Sequence, residues 1–301
     1  MRTLRLATRG SPLALRQTAL VGEALQAANP DVDVEVVVVR TRGDDLSAPL
    51  SAIGGQGIFA TEVELAVAEG RADAAVHSAK DLTSAMRPDL LLAAVPPRAD
   101  QRDGLVGSTL AGLPPGGLIA TGSARRRAQL AHLRPDLSFT EVRGNMERRV
   151  SRGEDGSVSA VVVAVAAMER LGWAGRLTDI LSPMDMLPQA GQGAIALQCR
   201  SDDVVTRQLL HSIDDDVSHR ALRAERSVLS GLGGSCTVPV GAWAHEDTAA
   251  GTLRVHGLLA SGDGRVVIRM SRVGDDPEQV GAEVAQALLV EGGGSDLEGA
   301  G

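Results

Sequence analysis

Between Thr3 and Thr8 apolar and polar side chains alternate, the period of a strand with one buried face. From Leu13 to Ala28 the apolar positions shift to helical spacing, with Ser11 suited to the N-cap and Pro12 to the first helical position. Val32 to Val39 is rich in β-branched residues and predicts a second strand. Residues 40–57 form a long loop without the spacing or lysine of a nucleotide-binding loop, and loops of this length are usually functional or mobile. Ile58 to Glu69 reads as a helix stopped at Gly70. Ala74 to Val76 and Leu90 to Val95 read as buried strands. The order strand, helix, strand, helix, strand, strand is that of an α/β domain.

The pattern then repeats. Pro96 to Asp103 is a polar crossing and a candidate hinge. Leu118 to Thr121 predicts a strand running into Gly122-Ser123-Ala124-Arg125-Arg126-Arg127 and a helix to about Leu133. Leu137 to Val142 predicts another strand, followed by Arg143-Gly144-Asn145 and a short helix carrying Arg148, Arg149 and Arg152. Val158 to Val165 is a continuous apolar run, as in strands covered on both faces, and Met168-Glu169-Arg170 begins the turn after it. Gly191 to Leu197 reads as a strand returning the chain to the first domain. Asp216 to Leu232 predicts an amphipathic helix. Three strand-like runs (Val238 to Ala244, Thr252 to Leu259, Arg265 to Ser271) and a helix from about Pro277 to Val290 then make a small α+β domain. The Gly-rich stretch from Glu291 to Gly301 is expected to fray.

Composition narrows the class. No apolar run approaches the ~18 residues needed to span a membrane, and the N-terminus shows no signal-peptide core. The two cysteines, Cys199 and Cys236, form neither a metal-ligand spacing nor a disulfide framework, so a reducing cytoplasm is the expected compartment. Aromatic content is 1%, with no tyrosine, which argues against base-stacking platforms for single-stranded nucleic acid. Net charge is −8, yet residues 121–176 hold 10 Arg against 6 acids. That local excess points to an anion site within an acidic protein.

The candidate chemistry lies at predicted strand ends, where open α/β sheets bind ligands. His77-Ser78-Ala79-Lys80-Asp81 holds the chain's only lysine beside a carboxylate; an active pair and an ordinary ion pair fit this stretch equally well. Ser11 is explained by capping, whereas Arg9 is not. Arg125, Arg126, Arg143, Arg149 and Arg170 follow three different strands and favour a shared cleft. Read as exposed residues, they should contribute little to stability. Cys236 sits on the loop Gly233-Gly234-Ser235-Cys236, while Cys199 follows an apolar run and reads as a packed thiol.

Taken in order, Ala7-Thr8-Arg9-Gly10-Ser11-Pro12-Leu13-Ala14, Thr41-Arg42-Gly43-Asp44, His77-Ser78-Ala79-Lys80-Asp81, Gly122-Ser123-Ala124-Arg125-Arg126, Arg143-Gly144-Asn145, Gly191-Gln192-Gly193-Ala194 and Gly234-Ser235-Cys236 resemble the porphobilinogen deaminase family over nearly the whole chain. The resemblance implies two doubly wound, periplasmic-binding-protein-like α/β domains with a cleft between them, plus a smaller C-terminal α+β domain. The boundaries expected are 1–97 with 192–215, then 98–191, then 216–301. It implies an enzyme of heme and porphyrin biosynthesis that joins four porphobilinogen molecules into linear hydroxymethylbilane, releasing ammonia each time. The chain grows on a dipyrromethane cofactor attached by a thioether, which the resemblance places on Cys236. Asp81 would be the catalytic carboxylate, stabilising the cationic azafulvene and relaying protons. Lys80, Thr121, Ser123, Arg125, Arg126, Arg143 and Gly144 would hold the cofactor. Arg9, Ser11, Arg149, Arg170 and Gln192 would hold substrate. Guanidinium groups suit this task because they bind carboxylates bidentately and keep their charge. No metal, nucleic acid or membrane is expected, and the protein is expected to act as a cytoplasmic monomer. Gln56, Gly122 and Ser235 depart from residues common in the family. The competing classes are a two-lobed solute-binding protein and a ligand-sensing transcription regulator. The thiol-bearing third domain counts against the first and the lack of a helix-turn-helix segment against the second.

Overall fold

The structure is a computed structural model that describes residues 2–41, 60–83, 86–142, 144–233, 238–247 and 251–298. The chain opens with β1 (Arg2–Arg9), α1 (Pro12–Ala28), β2 (Val32–Val39), α2 (Thr61–Ala68), β3 (Ala74–Ser78) and β4 (Leu90–Ala94). Next come β5 (Asp103–Val106), β6 (Leu118–Ala120), α3 (Ala124–Leu133), β7 (Ser138–Thr140), α4 (Met146–Glu154), β8 (Ala160–Ala164), α5 (Val165–Arg170) and β9 (Asp179–Ile180). Then follow β10 (Ile195–Arg200), α6 (Val204–His211), α7 (Asp216–Gly231), β11 (Val240–Glu246), β12 (Leu253–Ala260), β13 (Val267–Gly274), α8 (Pro277–Gln286) and a last turn, α9 (Ser295–Glu298). By contacts the chain divides into two compact units: residues 1–99 with 194–219, and residues 100–193 with 220–301.

The two larger sheets share one plan. In the first unit the strand order is β2-β1-β3-β10-β4, with β1 parallel to β2 and β3, and β10 antiparallel to both of its neighbours. In the second unit the order is β7-β6-β8-β5-β9, with β6 parallel to β7 and β8, and β5 reversed. Each sheet therefore holds three adjacent parallel strands, one reversed strand and an edge strand running with the three, and the chain passes three times between the units.

Both sheets are covered on both faces, which is why their strands read as apolar runs. Leu4 and Leu6 of β1 pack with Val21 and Leu25 of α1, whereas Ala7, on the opposite face, packs with Val63, Ala66 and Val67 of α2. In the second sheet Ile119 and Val162 pack with Leu130 of α3, while Ala120, Val161 and Val163 pack with Val150 of α4. A fully buried Leu side chain contributes about 1.5–3 kcal/mol, so these layers fix the strand ends firmly.

The third sheet, β11-β12-β13, is antiparallel throughout. One face packs on α7 and α8 through Val228, Val255, Leu259 and Val284. Gly257 allows this close approach, since a Cβ there would lie 2.5 Å from Val284 Cγ1. Its other face meets α3, with Leu258 and Ala260 against Ala128 and Leu187.

Four local expectations change. Asp103 is no part of a hinge: it opens β5 and is fully buried. Helix α6 was not foreseen; Asp203 caps it, accepting from Thr206 N at 2.9 Å. Met168 to Arg170 ends a short helix, α5, that begins at Val165, rather than beginning the turn after β8. Ser295–Glu298 forms a helical turn inside the stretch expected to fray.

Candidate active site

In the first unit, the site residues gather where β1 and β3 end. These strands are parallel neighbours, so their carboxyl ends lie side by side. β1 ends on Arg9, and the chain turns at once into α1, with Ser11 Oγ accepting from Ala14 N at 3.2 Å. β3 ends on Ser78, whose hydroxyl donates to Gln17 Oε1 at 3.0 Å. A single tight turn, Ala79–Asp81, follows and lifts Asp81 off the strand end. Arg9 Nη1 lies 3.9 Å from Asp81 Oδ2, and both side chains keep partial access, 22% and 32%. Lys80 is half-buried in the same turn. His77, from the same motif, lies within β3. It is buried, its Nε2 has no hydrogen-bond partner, and burial pushes its imidazole down to about 4, so it is neutral at physiological pH.

In the second unit, β7, β6 and β8 are adjacent and parallel, so the residues that follow them share one edge. After β6, Thr121 Oγ1 accepts from Ser123 N at 3.2 Å, and Ser123 caps α3 through Arg126 N at 3.4 Å. Thr121 and Ser123 thus shape the turn that presents Arg125 and Arg126. After β7, Gly144 takes a φ of 106°, a left-handed conformation that favours glycine, and Asn145 caps α4. The Gly144 carbonyl accepts from Arg149 Nε at 2.8 Å, which holds that guanidinium near the strand end. After β8, α5 carries Arg170, whose Nη2 donates to Gly193 O at 2.6 Å.

Arg125 and Arg126 are not the exposed residues that the sequence suggested. They are 5% and 8% exposed, and both bind Asp103, which is fully buried. Arg125 Nη2 donates to Asp103 Oδ2 at 2.8 Å; Arg126 donates to Oδ1 through Nε at 3.0 Å and Nη2 at 2.6 Å. Burial acts against the Asp103 anion, but the two guanidinium groups and the Gln192 amide outweigh it and hold the carboxyl far below its ordinary range. Gln192 lies in this scaffold: its Nε2 donates to Asp103 Oδ1 at 2.9 Å and to Gln101 O at 2.8 Å. The loop carrying Gln192 is fixed in turn by buried Glu225 of α7, which accepts from Gly191 N at 2.7 Å and Ala244 N at 2.9 Å.

Sequence reasoning missed Asp103. The only signal was an acid opening the short apolar run Gly104-Leu105-Val106, too brief to distinguish a buried anion from a loop residue. Arg143, Cys236 and residues 42–59 lie outside the described residues. Cys199 is fully buried, and burial raises its thiol to about 11, with the Asp203 charge adding to the effect.

The arrangement suits a ligand rich in carboxylates. Two guanidinium groups share one carboxylate, so these three side chains keep one net positive charge in a buried setting. Arg125 Nε is also buried without a hydrogen-bond partner. Excess buried positive charge and an unused N–H are what a carboxylate would satisfy. Fold and site thus define an α/β protein with strand-end sites for an anionic ligand, one carrying a carboxylate beside an arginine and the other an arginine cluster.

The comparisons with known proteins give the family. The model "Porphobilinogen deaminase, dipyromethane cofactor binding domain" matches residues 4–208, and "Porphobilinogen deaminase, C-terminal domain" matches residues 220–290. A porphobilinogen deaminase of Roseiflexus sp. (strain RS-1) is 45% identical over 99% of this chain and 99% of its own. One from Syntrophobacter fumaroxidans is 42% identical over 99% of this chain and 97% of its own. Among solved structures, the methionine-binding protein MetQ aligns at 11% identity and a TM-score of 0.43, covering 72% of this chain and 92% of that one, a likeness too loose to bear on function. The chain belongs to the porphobilinogen deaminase family. It is a transferase of heme and porphyrin biosynthesis that deaminates and polymerises porphobilinogen on a dipyrromethane cofactor. No helix among the described residues is long and apolar enough to cross a membrane.

Proposed function

We propose that Asp81 is the catalytic carboxylate and that the two strand-end sites divide the work of the reaction. The observation that supports this most directly is Asp81 on its tight turn, one-third exposed and 3.9 Å from Arg9. An anion held there faces a ligand at the strand ends and balances the positive charge that loss of ammonia places on the substrate. In this reading it also takes and returns a proton at the pyrrole nitrogen. Arg9, with Ser11 shaping its turn, binds a substrate carboxylate, and Lys80 adds a second positive charge. Among the substrate-binding residues we also count Arg149, Arg170 and Gln192, the last acting through Asp103.

Bound dipyrromethane supplies the pyrrole carbon from which the product chain grows. Cys236 holds it through a thioether, and Arg125, Arg126, Arg143, Lys80, Thr121, Ser123 and Gly144 hold its carboxylates or shape the turns that do. The net positive charge of the Asp103 cluster supports this role for Arg125 and Arg126. Cys199, with its raised thiol, is unsuited to attachment. Residues 1–97 with 192–215, 98–191 and 216–301 are proposed as three domains, one around each sheet. The protein acts as a cytoplasmic monomer on a small-molecule substrate, without nucleic acid or membrane.

Asp81→Asn tests the reading. The substitution preserves shape and removes charge, so cofactor content and circular dichroism should match wild type while turnover falls by at least ~100-fold, the lower range for loss of an acid–base group. Near wild-type turnover would remove Asp81 from the mechanism.

A further inference from the structure

The C-terminal sheet carries a feature for which the deaminase reaction has no use. On the pair β11–β12, Trp243 lies opposite His256, and His245 lies opposite Arg254. His245 and His256 are therefore diagonal neighbours on one face. Their Nε2 atoms approach to 3.3 Å. Trp243 stacks on His256 with centroids 5.2 Å apart and leans on His245 at 4.4 Å. The two imidazoles lie nearly parallel, with centroids 5.4 Å apart.

The hydrogen bonds settle the tautomers. His245 Nδ1 lies 2.9 Å from the carbonyl oxygen of Glu246, which only accepts, so Nδ1 carries the proton. His245 Nε2 then presents a bare lone pair toward His256. In the metal-free pair, His256 Nε2–H donates to that lone pair. An imidazole whose Nδ1–H is anchored on a backbone carbonyl is already in the state of a metal ligand.

We propose that His245 and His256 form a two-imidazole site for a borderline divalent cation of tetrahedral preference, zinc(II) being the best match. Ligand bonds of about 2.05 Å and a nitrogen separation of 3.3 Å give an N–metal–N angle of about 107°, close to tetrahedral. Binding requires one proton shift, from His256 Nε2 to Nδ1 through solvent, and no net proton release from a neutral pair. Burial, aided by the charges of Arg254 and Arg269, disfavours the protonated form of His256. Those charges also oppose a cation, but Arg254 is paired with Asp247 at 3.0 Å, and Arg269 is committed to Asp185 O and Gln129 Oε1. Among the described residues no third His, Cys, Asp or Glu completes the set, so water fills the remaining positions and the metal exchanges readily.

Trp243 provides the readout. The chain has two tryptophans and no tyrosine, so Trp173→Phe leaves Trp243 as the sole strong emitter. Untagged Trp173→Phe holoenzyme would be titrated with cobalt(II), whose open shell quenches indole emission. Zinc(II) binds such sites more tightly than cobalt(II), and its closed shell does not quench. The expected result is saturable quenching at one equivalent, reversed by zinc(II), with zinc(II) alone raising the melting temperature. His245→Ala and His256→Ala should each move the midpoint by more than about 10-fold, since even outer partners of metal ligands command that much. His245→Ala guards against misfolding of the more enclosed His256 variant, and product formation confirms that each variant is folded. Quenching that survives unchanged in His245→Ala, or parent protein that shows none up to millimolar cobalt(II), would overturn the site.

Discussion

Replacing Asp103 by Asn should be among the most destabilising single changes in the second unit. Asp103 is fully buried and accepts four hydrogen bonds, three of them from Arg125 and Arg126. The isosteric amide keeps the volume, so packing is not the issue. It removes the one negative charge between two buried guanidinium groups and turns an NH₂ group toward donors. At an effective dielectric of about 20, each charge pair at ~4 Å is worth about 4 kcal/mol before desolvation, and stripping one partner from a buried ion pair costs about 3–5 kcal/mol. Total stability is usually only about 5–15 kcal/mol. Removing Arg125 instead leaves Asp103 and Arg126 as a neutral pair, so Arg125→Met should cost less, about 1–3 kcal/mol for the lost hydrogen bonds. Urea unfolding at pH 7 measures both, as a lower midpoint with an unchanged slope. The pH dependence has a definite sign. The folded carboxyl titrates far below the unfolded value of ~3.9, so its contribution is complete above that value and is lost as pH falls toward the folded one. The deficit of Asp103→Asn should therefore stay constant from pH 7 to about 5 and shrink below about 4. A deficit under about 1 kcal/mol, or a costlier Arg125→Met, would refute the claim that Asp103 neutralises the pair.

Three further outcomes are expected. Cys236→Ala should purify without a covalent pyrrole mass and without activity, whereas Cys199→Ser should retain both; intact mass spectrometry decides, and a pyrrole mass lost only from Cys199→Ser would reverse the assignment. With a thiol raised to about 11, Cys199 should resist iodoacetamide at pH 8 in native protein and react once unfolded, as peptide mapping would show. Ser123→Ala removes the α3 cap and should lower stability by about 1 kcal/mol; a denaturation midpoint equal to wild type would mean that the cap bond is not formed in solution.

Much of the architecture can be read directly from side-chain order. Alternation, helical spacing and Ser or Asn caps locate most strands and helices and the turns where β1, β6 and β7 give way to helices, because these features depend on neighbours within a few residues. They also place Arg9, Asp81 and Arg149 at strand ends. What lay beyond that reading involves partners far apart in sequence. The four residues of β5 carry too little periodicity to announce a strand, and only pairing with β8 and β9 makes them one. β10 joins β3 and β4 across about a hundred residues. Composition and motif order placed Arg125 and Arg126 after a strand, at the start of a helix, yet nothing local revealed that they are buried on Asp103 or that Gln192 completes the cluster. Burial of a charge is decided by whether its counter-charge arrives in the same enclosed space, and that depends on how distant strands are laid side by side. The sequence by itself determined most of the elements, the family and the kind of chemistry; the tertiary structure decided that Arg125 and Arg126 are buried on Asp103, and brought His245 and His256 to 3.3 Å.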